Sequence, residues 1–322
     1  MKSISDYRNE IEEGIKHLDF NDGDLTTLYD PIKYALSAGG KRLRPVLLLM
    51  GADAFDTDCK NAIKPAIGIE MFHNFTLLHD DVMDKSEMRR GRLTVHKKFD
   101  VNSAILSGDT MLTLASQYVS NVDEKILRNV LDVFDNMAIR VYEGQRMDMD
   151  FESKPEVSVE KYIKMIEYKT GALLGASVKI GALIGGATEK DAELMNQFGI
   201  NIGIAFQIQD DWLDTFGDAS TFGKPIGGDI NNSKKTFLYV KALNEKGQTA
   251  QALRSAYEIP PGEVRVKTVT KLYEKLGMSE ISKKAVNSYL SKALKSLNNT
   301  TLDQSTKEVF HQFAEKLIGR KK

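Results

Sequence analysis

Leu77-Leu78-His79-Asp80-Asp81-Val82-Met83-Asp84 and, far downstream, Phe206-Gln207-Ile208-Gln209-Asp210-Asp211-Trp212-Leu213-Asp214 organise the reading of this chain. On a helix, Asp80 and Asp84 stand one turn apart on one face, and so do Asp210 and Asp214. Two carboxylates so placed form half of a magnesium site, because Mg²⁺ is held by one or two protein carboxylates while waters and substrate phosphate oxygens complete its octahedron. Two such clusters facing each other predict a clamp for a diphosphate.

The residues around each cluster extend that logic. The stretch from about Ala62 to Met83 predicts a long helix with Pro65 in its first turn, on which His73, Thr76, Leu77, Asp80 and Asp84 share a face. It is largely apolar before the aspartates arrive, so it reads as buried, and buried carboxylates must be paired or metal-bound. Arg89-Arg90-Gly91 follows directly. Two arginines there either neutralise the aspartates or bind the phosphates that the metal also holds. The second cluster ends a helix predicted over about Ala192 to Asp214, with Gln207 one turn before Asp210, and it too is followed by glycines and cations: Gly223-Lys224-Pro225, Gly227-Gly228 and Lys234-Lys235. A lone D-D-x-x-D is most often a solvated helix end; its recurrence with trailing cations is the stronger signal.

Elsewhere Gly39-Gly40-Lys41-Arg42-Leu43-Arg44-Pro45 precedes the apolar run Val46 to Met50. Open glycine amides beside Lys41 and Arg44, just before a helix start, suit an anion, although a helix-to-helix turn with solvated charges reads equally well. Tyr168-Lys169-Thr170-Gly171 opens a stretch dense in glycine and alanine as far as Ala187. It predicts a closely packed central helix in which Lys169 requires an anionic partner.

The helical period runs through most of the chain, and strand-like alternation is absent. Residues 4 to 19 carry Ile4, Ile11, Ile15 and Leu18 near one stripe. A second helix is expected from about Pro31 to Gly39-Gly40, two more over 99 to 150 with a break near Asn121-Val122-Asp123, and amphipathic helices from Leu243 to Lys322 with a loop at Ile259 to Gly262. His17 and His311 read as surface or packing residues.

Length and composition narrow the class. For 322 residues the prior leans toward two domains, but seven prolines and no Ser/Gly-rich linker favour a single domain over 1-322. Forty-four basic against 45 acidic residues provide no global field for nucleic acid or an anionic membrane. No run approaches the ~18 to 20 apolar residues of a membrane span. The acidic first twenty residues do not read as a signal peptide, and the single cysteine, Cys59, reads as an idle thiol in a reducing compartment, so a cytoplasmic protein is expected.

Taken together, Gly-Gly-Lys-Arg-Leu-Arg-Pro, the two aspartate clusters, Arg89-Arg90-Gly91, Lys169-Thr170-Gly171, Phe206-Gln207 and Gly223-Lys224-Pro225 resemble a trans-isoprenyl diphosphate synthase of the polyprenyl synthetase family, over about residues 28 to 240. The resemblance implies an all-α single domain of antiparallel helices around a deep central cavity, usually a homodimer. It implies up to three Mg²⁺ ions at Asp80, Asp84 and Asp210, and an allylic diphosphate held by Arg89, Lys169, Thr170, Gln207, Lys224 and Lys234. Isopentenyl diphosphate would be held by Lys41, Arg44, His73 and Arg90. Phe75 and Phe72, five and eight residues before Asp80, with Thr76 four before it, match positions that set product length. Aromatics there resemble the short-chain enzymes that make fifteen- or twenty-carbon products, farnesyl or geranylgeranyl diphosphate. On an ideal wheel Phe75 points roughly 140° away from Asp80, so that role comes from the resemblance, and ordinary core packing stands beside it. A longer-chain synthase, a terpene cyclase and a non-catalytic subunit are the alternatives. The intact Lys41, Arg44 and Asp210-to-Asp214 cluster count against the last two.

Overall fold

A computed structural model of the chain describes residues 1–20, 24–55, 59–218, 226–245 and 247–319. Lys224, with the loop residues before Ile226, lies outside the described residues, as does the Cys59 side chain. Helices dominate in chain order: α1 (Ile4–Lys16), α2 (Thr26–Leu36), α3 (Leu43–Ala54), α4 (Ile63–Met83), α5 (Val95–Lys98), α6 (Val101–Val119), α7 (Glu124–Ser153), α8 (Val159–Ile166), α9 (Ala172–Ile184) and α10 (Glu189–Phe216). A short α11 (Gly228–Asn231) precedes α12 (Phe237–Asn244), α13 (Gln248–Glu258), α14 (Glu263–Lys275), α15 (Met278–Asn298) and α16 (Gln304–Ile318). The all-α class expected from the helical period holds. Among the described residues the strands are a two-residue pair, β1 (Met88–Arg89) and β2 (Arg92–Leu93), joined through Arg90-Gly91. Both loop residues have positive φ, 52° and 73°. That is the geometry of the primed two-residue turn, whose twist matches a hairpin, and Gly91 supplies it at no steric cost.

Most predicted boundaries stand within a few residues, and the reasons are local. Ser3 and Asp6 form a capping box that starts α1, and Asp100, Ser158, Thr236 and Asp303 cap α6, α8, α12 and α16. Pro65 does sit in the first turn of α4. Pro31 does not start its helix: α2 begins at Thr26, places Pro31 in its interior and ends at Leu36, short of the glycines. The cost of the missing amide is met by packing, since Pro31, Ile32 and Leu36 are all buried. The central helix expected over the glycine- and alanine-rich stretch is α9, and a π turn at Glu167–Gly171 separates it from α8.

By its contacts the chain divides into two compact units, residues 1–135 with 176–193, and residues 136–175 with 194–322. In the first, the apolar run of α3 and the inner face of α4 are buried, including Leu47, Leu48, Met50, Ile69 and Phe72. Gly181 of α9 and Gly185 just beyond its end lie against the backbone of Leu48 and Ala52, closer than any side chain would permit. In the second unit, Gly171 and Gly175 abut Gly203 and Gly199 of α10 in the same way. The glycine-rich stretch is thus a tight helix contact within each unit, as its composition predicts.

Candidate active site

The first group of site residues belongs to the first unit. Asp80 is half-buried, Asp81 buried and Asp84 exposed at the C-cap of α4, where its amide donates to the Asp80 carbonyl at 2.8 Å. Three carboxylates therefore sit at the negative end of a helix whose last turn carries no basic residue. The helix dipole opposes such charges by about 0.3–1 kcal/mol each, a cost that a bound cation removes. Asp81 is satisfied within the protein: Arg89 donates from Nε at 2.9 and 2.8 Å and from Nη2 at 2.8 Å. The neutralising and the phosphate-binding readings of Arg89 thus combine, because one edge of its guanidinium holds Asp81 and Nη1 remains for another acceptor. Arg90, on the hairpin turn, donates to the Gly39 carbonyl, and a side chain at Gly40 would come within 2.9 Å of Arg90 Nη1. The turn of Gly39 and Gly40 and the arginine hairpin are therefore fitted to each other. Leu93 and Ser37 extend that fit, accepting from Tyr34 at 2.8 Å and from Arg92 at 3.1 Å.

Of the three cations in the Lys41-Arg42-Leu43-Arg44 stretch, Arg42 is structural, a distinction that spacing did not reveal. It is buried with positive φ, and it donates to Glu70 at 2.6 Å, to Glu12 at 2.9 and 3.3 Å and to the Leu36 carbonyl at 2.8 Å. Removing one partner of such a buried pair strands the other, so Arg42→Ala is expected to destabilise the fold by about 3–5 kcal/mol in thermal or urea unfolding. Lys41 is exposed. Arg44 donates from Nη1 to His73 Nε2 at 3.1 Å, and its buried Nε has no hydrogen-bond partner among the described residues. Burial pushes the Arg44 pKa down to about 10, with Arg90 adding to the shift and Glu70 opposing it. Arg44 stays charged at neutral pH and has a donor to offer an anion. The N-terminus of α3 adds open amides, since its N-cap residue makes no side-chain cap bond.

His73 is held well below its ordinary pKa, first by burial and then by Arg44, Arg90, Arg89 and Arg42. It is thus neutral, accepting at Nε2 and carrying its proton on Nδ1. The unfolded chain takes up this proton below about pH 6.5 while the folded chain does not. Stability therefore falls as pH drops from about 6.5 toward the lower folded value, by at most about 1.4 kcal/mol per pH unit, and is unaffected above it. His73→Gln is expected to remove that part of the acid-side slope in unfolding measured from pH 7 to 5.

The second group belongs to the second unit. Asp210 is half-buried, while Asp211 and Asp214 are buried and engaged by the protein. Asp211 accepts from the Tyr162 hydroxyl, from the Phe237 amide at 2.7 Å and from Gln207 Nε2 at 3.2 Å. Burial, reinforced by Asp229, raises its pKa to about 7 against those hydrogen bonds. Asp214 accepts from the Asp229 amide at 3.0 Å. As in α4, the carboxylates sit in the last two turns of a helix whose final turn has no basic residue. The π turn places Lys169 Nζ 2.6 Å from Asp148 Oδ2, the anionic partner that sequence reasoning required, and Thr170 Oγ1 3.2 Å from Gln207 Oε1. Single π turns recur at functional sites because the extra residue re-aims the side chains that follow. Here it lies against Gly144 of α7, which has no side chain to block the Lys169 backbone. Asp148, Lys169, Thr170, Gln207 and Asp211, with Lys234, Lys235 and Thr236, line one cavity. Asp148, Tyr162 and Asp229 were not singled out from sequence, since each comes from a different segment and carries no local pattern.

Phe72 and Phe75, fully buried and 6% exposed, meet edge to face at 5.6 Å. Phe72 also packs on Phe134 at 5.4 Å, Phe75 on His79 at 4.8 Å, and the Thr76 hydroxyl donates to the His73 carbonyl at 2.8 Å. His17 Nδ1 lies 2.8 Å from the Glu13 carbonyl and His311 Nε2 3.2 Å from Asn298 Oδ1, as suits packing residues.

Among the described residues no group of three or more His, Cys, Asp or Glu side chains is placed to hold a metal ion by itself. The donors that Asp80, Asp84 and Asp210 offer are all carboxylate oxygens, which suit a hard divalent cation.

Physically, these features define an all-α protein whose helix ends concentrate carboxylates beside arginine and lysine. The polyprenyl synthetase model matches residues 25–276, and the chain belongs to that family, a prenyltransferase by class. It is 39% identical over 249 residues to a geranylgeranyl diphosphate synthase of Sulfolobus acidocaldarius, covering 76% of each chain. It is 34% identical over 321 residues to that of Methanosarcina mazei, covering 97% of each. Among solved structures, a crystal structure of a geranylgeranyl pyrophosphate synthase matches with a TM-score of 0.94 at 40% identity over 100% of both chains.

Proposed function

We propose that this chain condenses isopentenyl diphosphate with an allylic diphosphate to a short-chain trans-prenyl diphosphate of fifteen to twenty carbons, twenty being favoured. In this reading residues 1–322 act as one polyprenyl synthetase domain, in a cytoplasmic homodimer. One observation carries it: α4 and α10 each end in carboxylates set against the helix dipole, with arginine or lysine beside them. The similarity to geranylgeranyl diphosphate synthases supports the twenty-carbon preference.

Asp80, Asp84 and Asp210 would hold Mg²⁺, up to three ions, which when bound neutralise charge growing on the departing pyrophosphate. Arg89, Lys169, Thr170, Gln207, Lys224 and Lys234 grip the allylic diphosphate. Arg89 does so through the edge not bound to Asp81, and Lys169 by sharing or exchanging Asp148. Their charge, fixed before reaction, lets the allylic C–O bond break toward a carbocation. Lys41, Arg44, neutral His73 and Arg90 hold isopentenyl diphosphate so that its double bond meets that carbon, replacing a bimolecular encounter by positioning. The new C–C bond leaves a tertiary cation, which loses a proton to the released pyrophosphate. Phe72, Phe75 and Thr76 limit how far the product grows.

The test is incubation with labelled isopentenyl diphosphate and dimethylallyl, geranyl or farnesyl diphosphate, with products separated by chain length. A linear twenty-carbon diphosphate is expected. Cyclic hydrocarbon, or no elongated diphosphate from any starter, overturns the proposal, and products beyond twenty carbons overturn the short-chain part alone.

A further inference from the structure

We infer that Arg265, in the part of the chain that reads from sequence as scaffold, is a positioning residue for the second group of site residues; its link to catalysis rests on the reading above. Arg265 is 6% exposed on α14. Its guanidinium donates to the carbonyls of Tyr257 at 2.6 Å, Ile259 at 2.5 Å, Asn231 at 3.1 Å and Ile230 at 3.4 Å, and to Ser233 Oγ at 2.9 Å. These acceptors are all neutral. A buried charge is tolerated only when its donors are engaged, and a methionine would fill the same helix face without that demand. What Arg265 supplies beyond volume is a five-fold tie between two segments, one ending α13 and the other running from 230 to 233.

The second segment is the one that matters chemically. Asp229, Lys234, Lys235 and Thr236 come from this turn and line the cavity shared with Asp148, Lys169, Gln207 and Asp211. One side of the turn is tied to α10, where Asp214 accepts from the amides of Asp229 at 3.0 Å and Gly227 at 2.6 Å. The Lys234 amide closes it on the Asp229 carbonyl at 2.9 Å. Ser233 sits between them with φ of 54°, a conformation that a non-glycine residue keeps only when its surroundings hold it. Arg265 provides that hold through the Ser233 hydroxyl and the carbonyls of Ile230 and Asn231. In addition, the Gly262 amide donates to Asn231 Oδ1 at 2.8 Å, so the same loop is stitched twice. Among the described residues the hydrogen bonds of Arg265 go to no cavity-lining side chain; it acts through the backbone that carries Asp229 and Lys234.

Arg265→Gln, Arg265→Lys and the milder Ser233→Ala, each in the full chain, test this by amide hydrogen exchange, by Mg²⁺-pyrophosphate affinity and by separate KM values for the two substrates. Loss of ties worth about 1.4 kcal/mol predicts roughly tenfold faster exchange over residues 229–236 in Arg265→Gln, with helix 189–216 within about twofold. The KM for the allylic diphosphate and the dissociation constant of pyrophosphate should rise by a similar factor, while the KM for isopentenyl diphosphate stays within about twofold. Arg265→Lys should recover part of each, because an ammonium reaches fewer carbonyls than the guanidinium fork. Ser233→Ala, which risks little folding, should move exchange in the same direction by less. Unchanged exchange over 229–236, or a rise spread evenly over the chain with both KM values moving together, overturns the inference. A wild-type chain that forms no prenyl diphosphate overturns the proposed function instead, and exchange with pyrophosphate affinity still decides the role of Arg265.

Discussion

Asp80→Ala and Asp210→Ala are each expected to lower kcat/KM for condensation by about a thousandfold or more, the scale on which removal of a preorganised electrostatic element acts. The more telling result is the accompanying stability. In α4 the carboxylates stand at the negative end of the helix with no basic residue in its last turn. Without divalent cation, removing the Asp80 charge relieves about 0.3–1 kcal/mol of repulsion at that helix end, so Asp80→Ala should stay folded. Added Mg²⁺ with pyrophosphate should stabilise the parent chain and not the variant. Asp81→Asn should behave in the opposite way, because its buried carboxylate takes three donor contacts from Arg89. It should lose stability first and activity as a consequence. Near-normal turnover in either alanine variant would remove the assigned metal roles.

The second large effect concerns product length. Phe75→Ala is expected to move the main product to a diphosphate at least one isoprene unit longer, read by chromatography of the hydrolysed alcohols. It should also cost about 3–5 kcal/mol of stability, since Phe75 is 6% exposed and packed between Phe72 and His79. Phe75→Leu separates the two effects: it keeps most of the packing, so a lengthened product from a nearly normal fold can only reflect the space opened. An unchanged product distribution in both variants, alongside the stability loss, would make Phe72 and Phe75 ordinary core residues. Phe134, which sequence reasoning did not weigh, packs on Phe72 at 5.4 Å. Phe134→Ala should therefore act in the same direction more weakly.

Much of the fold was legible because its cues are local. Apolar period, capping residues and the break at Asn121 to Asp123 are properties of short windows, and α4, α6, α7 and α10 follow them closely. Pro31 failed as a helix start because the burial of Pro31, Ile32 and Leu36, which depends on distant segments, outweighed a local preference. The π turn at Glu167–Gly171 was equally invisible, since its single extra residue leaves no mark on the pattern of apolar positions.

The sequence by itself determined that two acidic helix ends exist, that each is followed by cations, and that their i, i+4 spacing suits a divalent ion shared with phosphate. Only the tertiary structure decided which partners the buried members take: Arg89 for Asp81, Tyr162, Gln207 and Phe237 for Asp211, Asp229 for Asp214, and Glu12 and Glu70 for Arg42. The physical reason is range. Helical spacing fixes which side chains share a face through three or four residues of backbone, whereas burial and hydrogen-bond partners are set by segments up to tens of residues away. Adjacent aspartates such as half-buried Asp80 and buried Asp81 therefore meet different surroundings.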